Sequence, residues 1–204
     1  MNTGTPTTES RKLTLVDIAD ARAYERERSE TTKRVIAMKA RRRLPLGTFV
    51  TVVFENRETI RHQIQEMARV EKLFTDEEIQ AEIDIYNSMI PEPGQLCATL
   101  FIELTSDDQM REWLPRLVGI ERSLVFRLAD GSEVRSVTEA QHESQLTRDE
   151  ITAAVHYVQF VFTADQVDLM ARHGAVFACD HPAYLEDITL SDANLEEFLS
   201  DLRP

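Results

Sequence analysis

The sequence predicts an α+β fold in which N-terminal helices and a helical hairpin pack on a mostly antiparallel sheet. Three observations carry this reading. The chain opens on a long, polar helical stretch. Two capped helices with apolar stripes follow a first strand. From Gln95 onward, β-branched and aromatic runs alternate with short capped helices. Residues 1–10 are Thr-rich, without the apolar core of a signal segment, and are expected to form a disordered tail. Residues 11–204 are expected to form a single domain, with 11–93 mainly helical and 94–204 strand-rich.

Thr14 with Asp17 reads as a helix start, with a break near Asp20 and a helix running to about Arg43. Its middle is almost wholly polar and is held by charge pairs such as Glu30 with Lys33 or Arg34. Lys39, Arg41, Arg42 and Arg43 suit the negative end of the helix dipole, and Pro45 and Gly47 stop it. Residues 49–54 form a strand. A helix from about Arg57 to Lys72 places Ile60, Ile64 and Met67 on one face, and Thr75 with Glu78 caps the next. Ile79, Ile83, Tyr86 and Ile90 are its stripe, so the two helices make an antiparallel hairpin.

Beyond Pro93, strands are expected at 96–104, 124–128, 134–137, 155–162, 175–179 and 184–190. Asp130-Gly131 marks a tight hairpin. Ser106 with Gln109 caps a helix reaching Val118, Thr163 with Gln166 caps another ending at Gly174, and residues 195–202 close the chain as a helix. Leu104 to Met110 echoes Phe162 to Val167 after similar strands. Two strand–helix–strand units on one sheet give a ferredoxin-like arrangement in the C-terminal half.

Composition narrows the class. Of 204 residues, 42% are hydrophobic and 29% charged, an ordinary globular balance. Apolar runs reach only about five residues, against roughly 20 for a membrane helix. Cys97 and Cys179 stand far apart, outside any paired ligand spacing, so reduced thiols in the cytoplasm are expected. The net charge of −13 is uneven. Residues 1–43 carry 11 Lys and Arg against 6 Asp and Glu, a net of +5; the remainder carries 12 against 30, a net of −18. A body of that sign repels phosphate, so nucleic-acid binding has only the segment Arg34 to Arg43 to rest on. The alternative is that the basic segment packs on, or swaps onto, the acidic body.

No Gly-rich phosphate loop, nucleophile elbow, C-x-x-C or H-E-x-x-H occurs. The first metal candidate is the hairpin. Glu58 and His62 share a helix face with Glu66 one turn on, and Glu78 and Glu82 share a face of the partner helix. The di-iron pattern, however, asks for Glu-x-x-His on two helices. A second candidate is His156, Cys179 and His181, with His156 expected on a strand beside the other two. The third cluster is polar: Glu55, Asn56 and Arg57 at a strand–helix junction, Gln63 and Glu66 on the next helix, and Tyr86 and Asn87 at the end of the one after. Facing Tyr24 and Arg28, these groups make either a recognition pocket or a structural hydrogen-bond network.

Residues Arg11 to Leu15, Arg34 to Lys39, Phe54 to Arg57, Gln63 to Met67 and Glu82 to Asn87 resemble a bacterial family catalogued as a domain of unknown function. Ile90-Pro91 and Ala98 to Glu103 continue the likeness, which weakens beyond Asp107. The resemblance implies a context: members tend to be encoded beside a rubrerythrin-like protein and an iron–sulfur protein similar to heterodisulfide reductase subunits. It implies no catalytic residue and no cofactor. The resulting expectation is a non-catalytic accessory or adaptor protein of a bacterial peroxide- or thiol-redox system, docking through its N-terminal helices and the Glu55–Asn87 surface. A metal-dependent enzyme using the hairpin and a nucleic-acid binder using the basic helix are the alternatives, and a homodimer is left open.

Overall fold

The structure is a computed structural model and describes residues 10–138, 147–148 and 151–204. All but Ser10 of the expected tail lies outside the described residues. The chain is α+β, with six α-helices described and two main antiparallel sheets.

Thr14 opens only a single 3-10 turn, Leu15–Asp17. The main helix α1, Ala21–Arg42, begins at the expected break, where Asp20 Oδ1 accepts from Arg22 N and Ala23 N at 2.9 Å each. It ends sooner than expected, because Arg43–Leu46 is strand β1, paired antiparallel with β2, Val50–Glu55. Pro45, read from the sequence as a helix stop, lacks an N–H, and β1 is a sheet edge, where that loss is tolerated. The connecting turn needs Gly47: φ is +63°, and a Cβ would sit 2.5 Å from the Glu186 side chain.

Asn56 caps α2, Arg57–Glu71, and Thr75 caps α3, Asp76–Tyr86. Strand β3, Gln95–Ile102, follows, and then α4, which is shorter than expected at Asp107–Trp113. Gln109 does not reach back to Ser106; its Oε1 accepts from Thr105 N instead. Strands β4, Leu124–Leu128, and β5, Glu133–Arg135, flank the Asp130-Gly131 turn. Val137–Thr138 is a separate strand, β6. The break falls at Ser136, whose N–H donates to Leu124 O and whose hydroxyl donates to Glu121 O. Thr147–Arg148 (β7) and Ile151–Thr152 (β8) pair with each other. The chain finishes with β9, Val155–Val161; α5, Ala164–His173; β10, Ala175–His181; β11, Tyr184–Thr189; and α6, Asp192–Leu202, capped by Ser191.

The strand–helix–strand units expected in the C-terminal half are present, but not on one sheet. The sheet orders are β1-β2-β3-β9-β6 and β11-β10-β4-β5. Each unit crosses from the first sheet to the second, from β3 through α4 to β4 and from β9 through α5 to β10. Corresponding strands then pair antiparallel in both sheets, β3 with β9 and β4 with β10. In the second sheet Phe126 stands opposite Phe177. One sheet would leave the apolar inner faces of these strands to helices alone. Two sheets bury them against each other.

The principal core lies between the sheets. Phe54, Phe126, Phe160 and Phe177 meet there with Phe198 of α6, all fully buried; ring centroids are 4.4 Å apart for Phe54–Phe198 and 4.7 Å for Phe126–Phe177. A second core joins Leu13, Ile60, Ile64, Ile83, Met89 and Ile90, with Tyr157 of β9 packed against it. The helical hairpin and the N-terminal segment therefore cover the outer face of the five-stranded sheet.

The four cations at the end of α1 all meet carboxylates of the chain's own body. Lys39 lies 3.4 Å from Glu55, Arg41 2.6 Å from Glu197, and Arg43 3.4 Å from Glu103. Arg42 is 1% exposed. Its Nη1 and Nη2 reach Asp201 at 2.6 and 3.1 Å, and its Nε reaches Glu197 at 2.8 Å. Burial pushes the Asp201 carboxyl upward while Arg42 pulls it back, and the forked geometry is that of an ionised pair. Arg42→Met leaves the buried Asp201 carboxylate without its forked partner, while Glu197 keeps Arg41, and is expected to cost about 3–5 kcal/mol in urea unfolding. Adding Asp201→Leu is expected to recover part of the loss; a single variant as stable as the parent would refute the role given to Arg42.

Candidate functional site

The structure divides the predicted polar cluster into three groups, held by different elements. The first fastens the N-terminal segment. Asn87 presents its whole amide to Leu13: Oδ1 accepts from Leu13 N at 2.8 Å and Nδ2 donates to Leu13 O at 2.9 Å. Gln65 treats Ala19 in the same way, at 2.7 and 3.2 Å. Arg57 donates to Arg11 O at 3.1 Å and to Asp17 Oδ1 at 2.5 Å, and Arg61 donates to Asp17 O at 2.6 Å. An irregular segment cannot satisfy its own amides, so these side chains substitute for a partner strand. Asn56 is tied to its neighbouring backbone: Oδ1 accepts from Thr59 N at 3.0 Å as the N-cap of α2.

The second group clamps α1 to α2. Glu66 Oε1 accepts from Tyr24 Oη and Arg28 Nε at 2.7 Å each, and Oε2 accepts from Arg28 Nη2 at 2.9 Å and Arg69 Nη2 at 3.2 Å. The Arg28 hydrogen bonds are the largest influence, and they hold the Glu66 carboxyl down at about 2. Burial, then the contact with Glu66, drives the Tyr24 phenol upward. Both groups keep one protonation state near neutrality, which suits a fixed brace and not an acid–base pair.

The third group remains open. Glu55, Gln63 and Tyr86 line a cavity of about 180 Å³ between the outer face of the five-stranded sheet and the helices above it. Lys39 stands beside them, and Ile60, Met89, Phe101 and Val155 supply apolar wall. Glu55 is 5% exposed. Its Oε1 accepts from Thr99 Oγ1 at 3.2 Å, whereas Oε2 accepts no hydrogen bond and has Lys39 Nζ at 3.4 Å. Burial raises the Tyr86 phenol, and a hydrogen bond with Gln63 opposes that rise. Lys39 and Thr99 were missed by sequence reading. Lys39 was indistinguishable from the other cations of its helix end, and a threonine in an apolar strand gave no signal.

The hairpin carboxylates and imidazole do not converge. Glu58 faces Arg34 at 3.4 Å; His62 Nε2 lies 3.3 Å from Thr32 Oγ1, and burial lowers its pKa. Glu78 caps α3 by accepting from Phe74 N and Thr75 N, and burial raises the Glu82 carboxyl. His156, Cys179 and His181 are separated as well. His156 is on β9, in the sheet opposite β10, because the second unit crosses between sheets. Both His181 nitrogens meet backbone, Nε2 at Val118 O and Nδ1 at Ala183 N. Among the described residues no three His, Cys, Asp or Glu side chains form a group able to hold a metal.

Two facing antiparallel sheets, a helical hairpin strapped to one of them and a small charged cavity beneath it define an α+β protein with a polar recess under its helical layer. The chain belongs to a family of proteins of unknown function (DUF3501), whose model matches residues 12–202. The match runs beyond Asp107, where the likeness read from the sequence weakened. A crystal structure of a novel protein of unknown function from Burkholderia pseudomallei is similar, with 35% sequence identity and a TM-score of 0.84. It covers 94% of this chain and 99% of that one. No curated protein matches.

Two measurements check the assignments above. Glu66 has a folded pKa of about 2, below its ordinary 4.5. Its contribution is therefore fully present above about 4.5 and is lost as pH falls toward 2. Glu66→Gln is expected to lower stability at neutral pH, with the deficit shrinking across that window in urea titrations. A deficit unchanged by acid would contradict the clamp. Cys97 and Cys179 are buried, and burial pushes the Cys179 thiol up to about 11. Native labelling by a thiol reagent is expected to be slow at both, becoming rapid only in denaturant.

Proposed function

We propose that this chain is a non-catalytic accessory protein of a bacterial peroxide- or thiol-redox system, docking on a rubrerythrin-like or iron–sulfur partner through its helical face. The observation that carries the reading is an apolar cleft of about 320 Å³ where the start of α1 meets the end of α2 and the turn before α3. Tyr24, Ala68, Leu73, Phe74 and Ile79 line it, with Phe74 72% exposed and Val70 63% exposed beside it. Large apolar groups clustered in water are characteristic of a contact surface. Arg22, Glu25 and Arg69 also line this cleft, and Arg69 is paired with Glu66. The apolar lining suits a partner that presents an apolar ridge. Glu66 clamps α1 to α2, and Asn87 and Gln65 strap the N-terminal segment onto the hairpin, so the surface is preorganised.

The docking reading is favoured over a metal-dependent enzyme because Glu58, His62 and Glu82 face different neighbours. It is favoured over nucleic-acid binding because Lys39, Arg41, Arg42 and Arg43 are engaged by carboxylates of the chain itself. The test is purification of the tagged protein from native cells, with identification and iron analysis of what accompanies it. Wild type is expected to bring down an iron-containing redox protein in fixed ratio, and Phe74→Asp, with an unchanged melt, is expected to lose it. Retention of that partner by Phe74→Asp would remove the cleft from the reading. About one metal per chain in the protein purified alone would replace the reading with the enzyme alternative.

A further inference from the structure

The cavity beneath the hairpin has features that structural packing does not require. Glu55 ends β2 with its carboxylate turned to the outer face of the sheet, under the helices, where it is 5% exposed. A carboxylate offers about four acceptor positions. Thr99 takes one on Oε1; Oε2 is buried and accepts no hydrogen bond. Lys39 Nζ, at 3.4 Å, balances the charge without making that bond, and its side chain is 31% exposed against 6% for Glu55. A buried ionised group with unused acceptors is costly to leave so. The recess is therefore lined by a carboxylate whose unused oxygen is covered until Lys39 moves aside, by that more exposed cation with its spare donors, and by an apolar wall of Ile60, Met89, Phe101 and Val155.

We propose that this cavity is a binding site for a small zwitterion of the α-amino acid class with an apolar side chain. The ligand's ammonium would meet Glu55 Oε2 and its carboxylate Lys39 Nζ, opening the long ion pair and replacing it with two shorter charge-assisted contacts. Its side chain would lie along the apolar wall. The volume of about 180 Å³ suits a ligand of that size and lies below the range of about 300–1,000 Å³ usual for larger organic ligands. Neither charge alone satisfies the site. An amine leaves Lys39 without an acceptor, and a carboxylic acid leaves Glu55 Oε2 as it is. The inference is independent of the docking cleft, which lies at the other end of the hairpin, so either can fail without the other.

Calorimetric titration of the intact protein tests it, using L-valine, L-leucine, L-methionine and L-phenylalanine, with isoamylamine and 4-methylpentanoate as the half-charged counterparts of leucine. At least one amino acid is expected to bind with a dissociation constant of millimolar or below, leucine about tenfold more tightly than either counterpart. Glu55→Gln is expected to weaken binding by about tenfold or more, as loss of a charge-assisted contact implies. Val155→Phe, which fills the recess and leaves both charged groups in place, is expected to abolish binding and decides the matter if Glu55→Gln fails to fold. No heat from any of the four amino acids overturns the proposal. So does equal binding of isoamylamine and leucine, or unaltered binding by Val155→Phe.

Discussion

Arg42 joins elements that are remote in sequence. Its guanidinium is withdrawn from water at the point where α1 becomes β1, and its forked donors engage Asp201 and Glu197 on the last helix. A charge buried this deeply is tolerable only while its partners stay in place, so the contact fixes position as well as adding attraction. Around it the two chain ends converge. Arg11 donates to Asp201 O at 2.5 Å and to Arg203 O, and Gly94 N donates to Leu202 O at 2.8 Å. Phe198, on the same helix, enters the aromatic core between the sheets. The helical layer, the edge hairpin and the C-terminal helix thus share one electrostatic anchor.

From that anchor the N-terminal segment is laid across the hairpin by side chains that read backbone. The amides of Asn87 and Gln65, with the guanidinium groups of Arg57 and Arg61, supply the partners that a neighbouring strand would have given. This explains why so many polar residues gather there without forming an active centre: most of their hydrogen-bonding capacity is already used. Glu55 is the contrasting case. It lies beside the N-cap of α2, as polar as its neighbours in the sequence, but it lines a cavity, and its second oxygen is covered with Lys39 alone beside it and no backbone group.

Local features were legible in the sequence because they depend on neighbours three or four residues away. Asn56, Thr75, Thr163 and Ser106 cap where spacing placed them, and the stripe Ile60–Ile64 is buried. What escaped depends on distant partners. An alternating strand announces a buried face without saying which sheet it joins, so β9 and β10 read as neighbours although they lie in different sheets. Pro45 was weighed as a breaker because edge position is a property of the finished sheet. The basic end of α1 was expected to suit the helix dipole and to pack on the acidic body, and it does meet that body's carboxylates, but the sequence did not single out Asp201 and Glu197. The polar cluster was recognised as a set, yet the division among strap, clamp and cavity turns on individual hydrogen bonds that residue types do not specify.

The crossed pairing of the two strand–helix–strand units has a consequence for the birth of the molecule. Thr99 pairs with Tyr157 and Phe126 with Phe177, so each sheet joins strands more than about 50 residues apart in the chain. During synthesis, β3 and β4 emerge with one edge of each unpaired, and the strands that cover them arrive only much later. Contacts of such sequence separation form slowly. Open strand edges of this kind are where chains adhere to one another. The nascent first unit therefore passes through an interval in which those two edges stand uncovered.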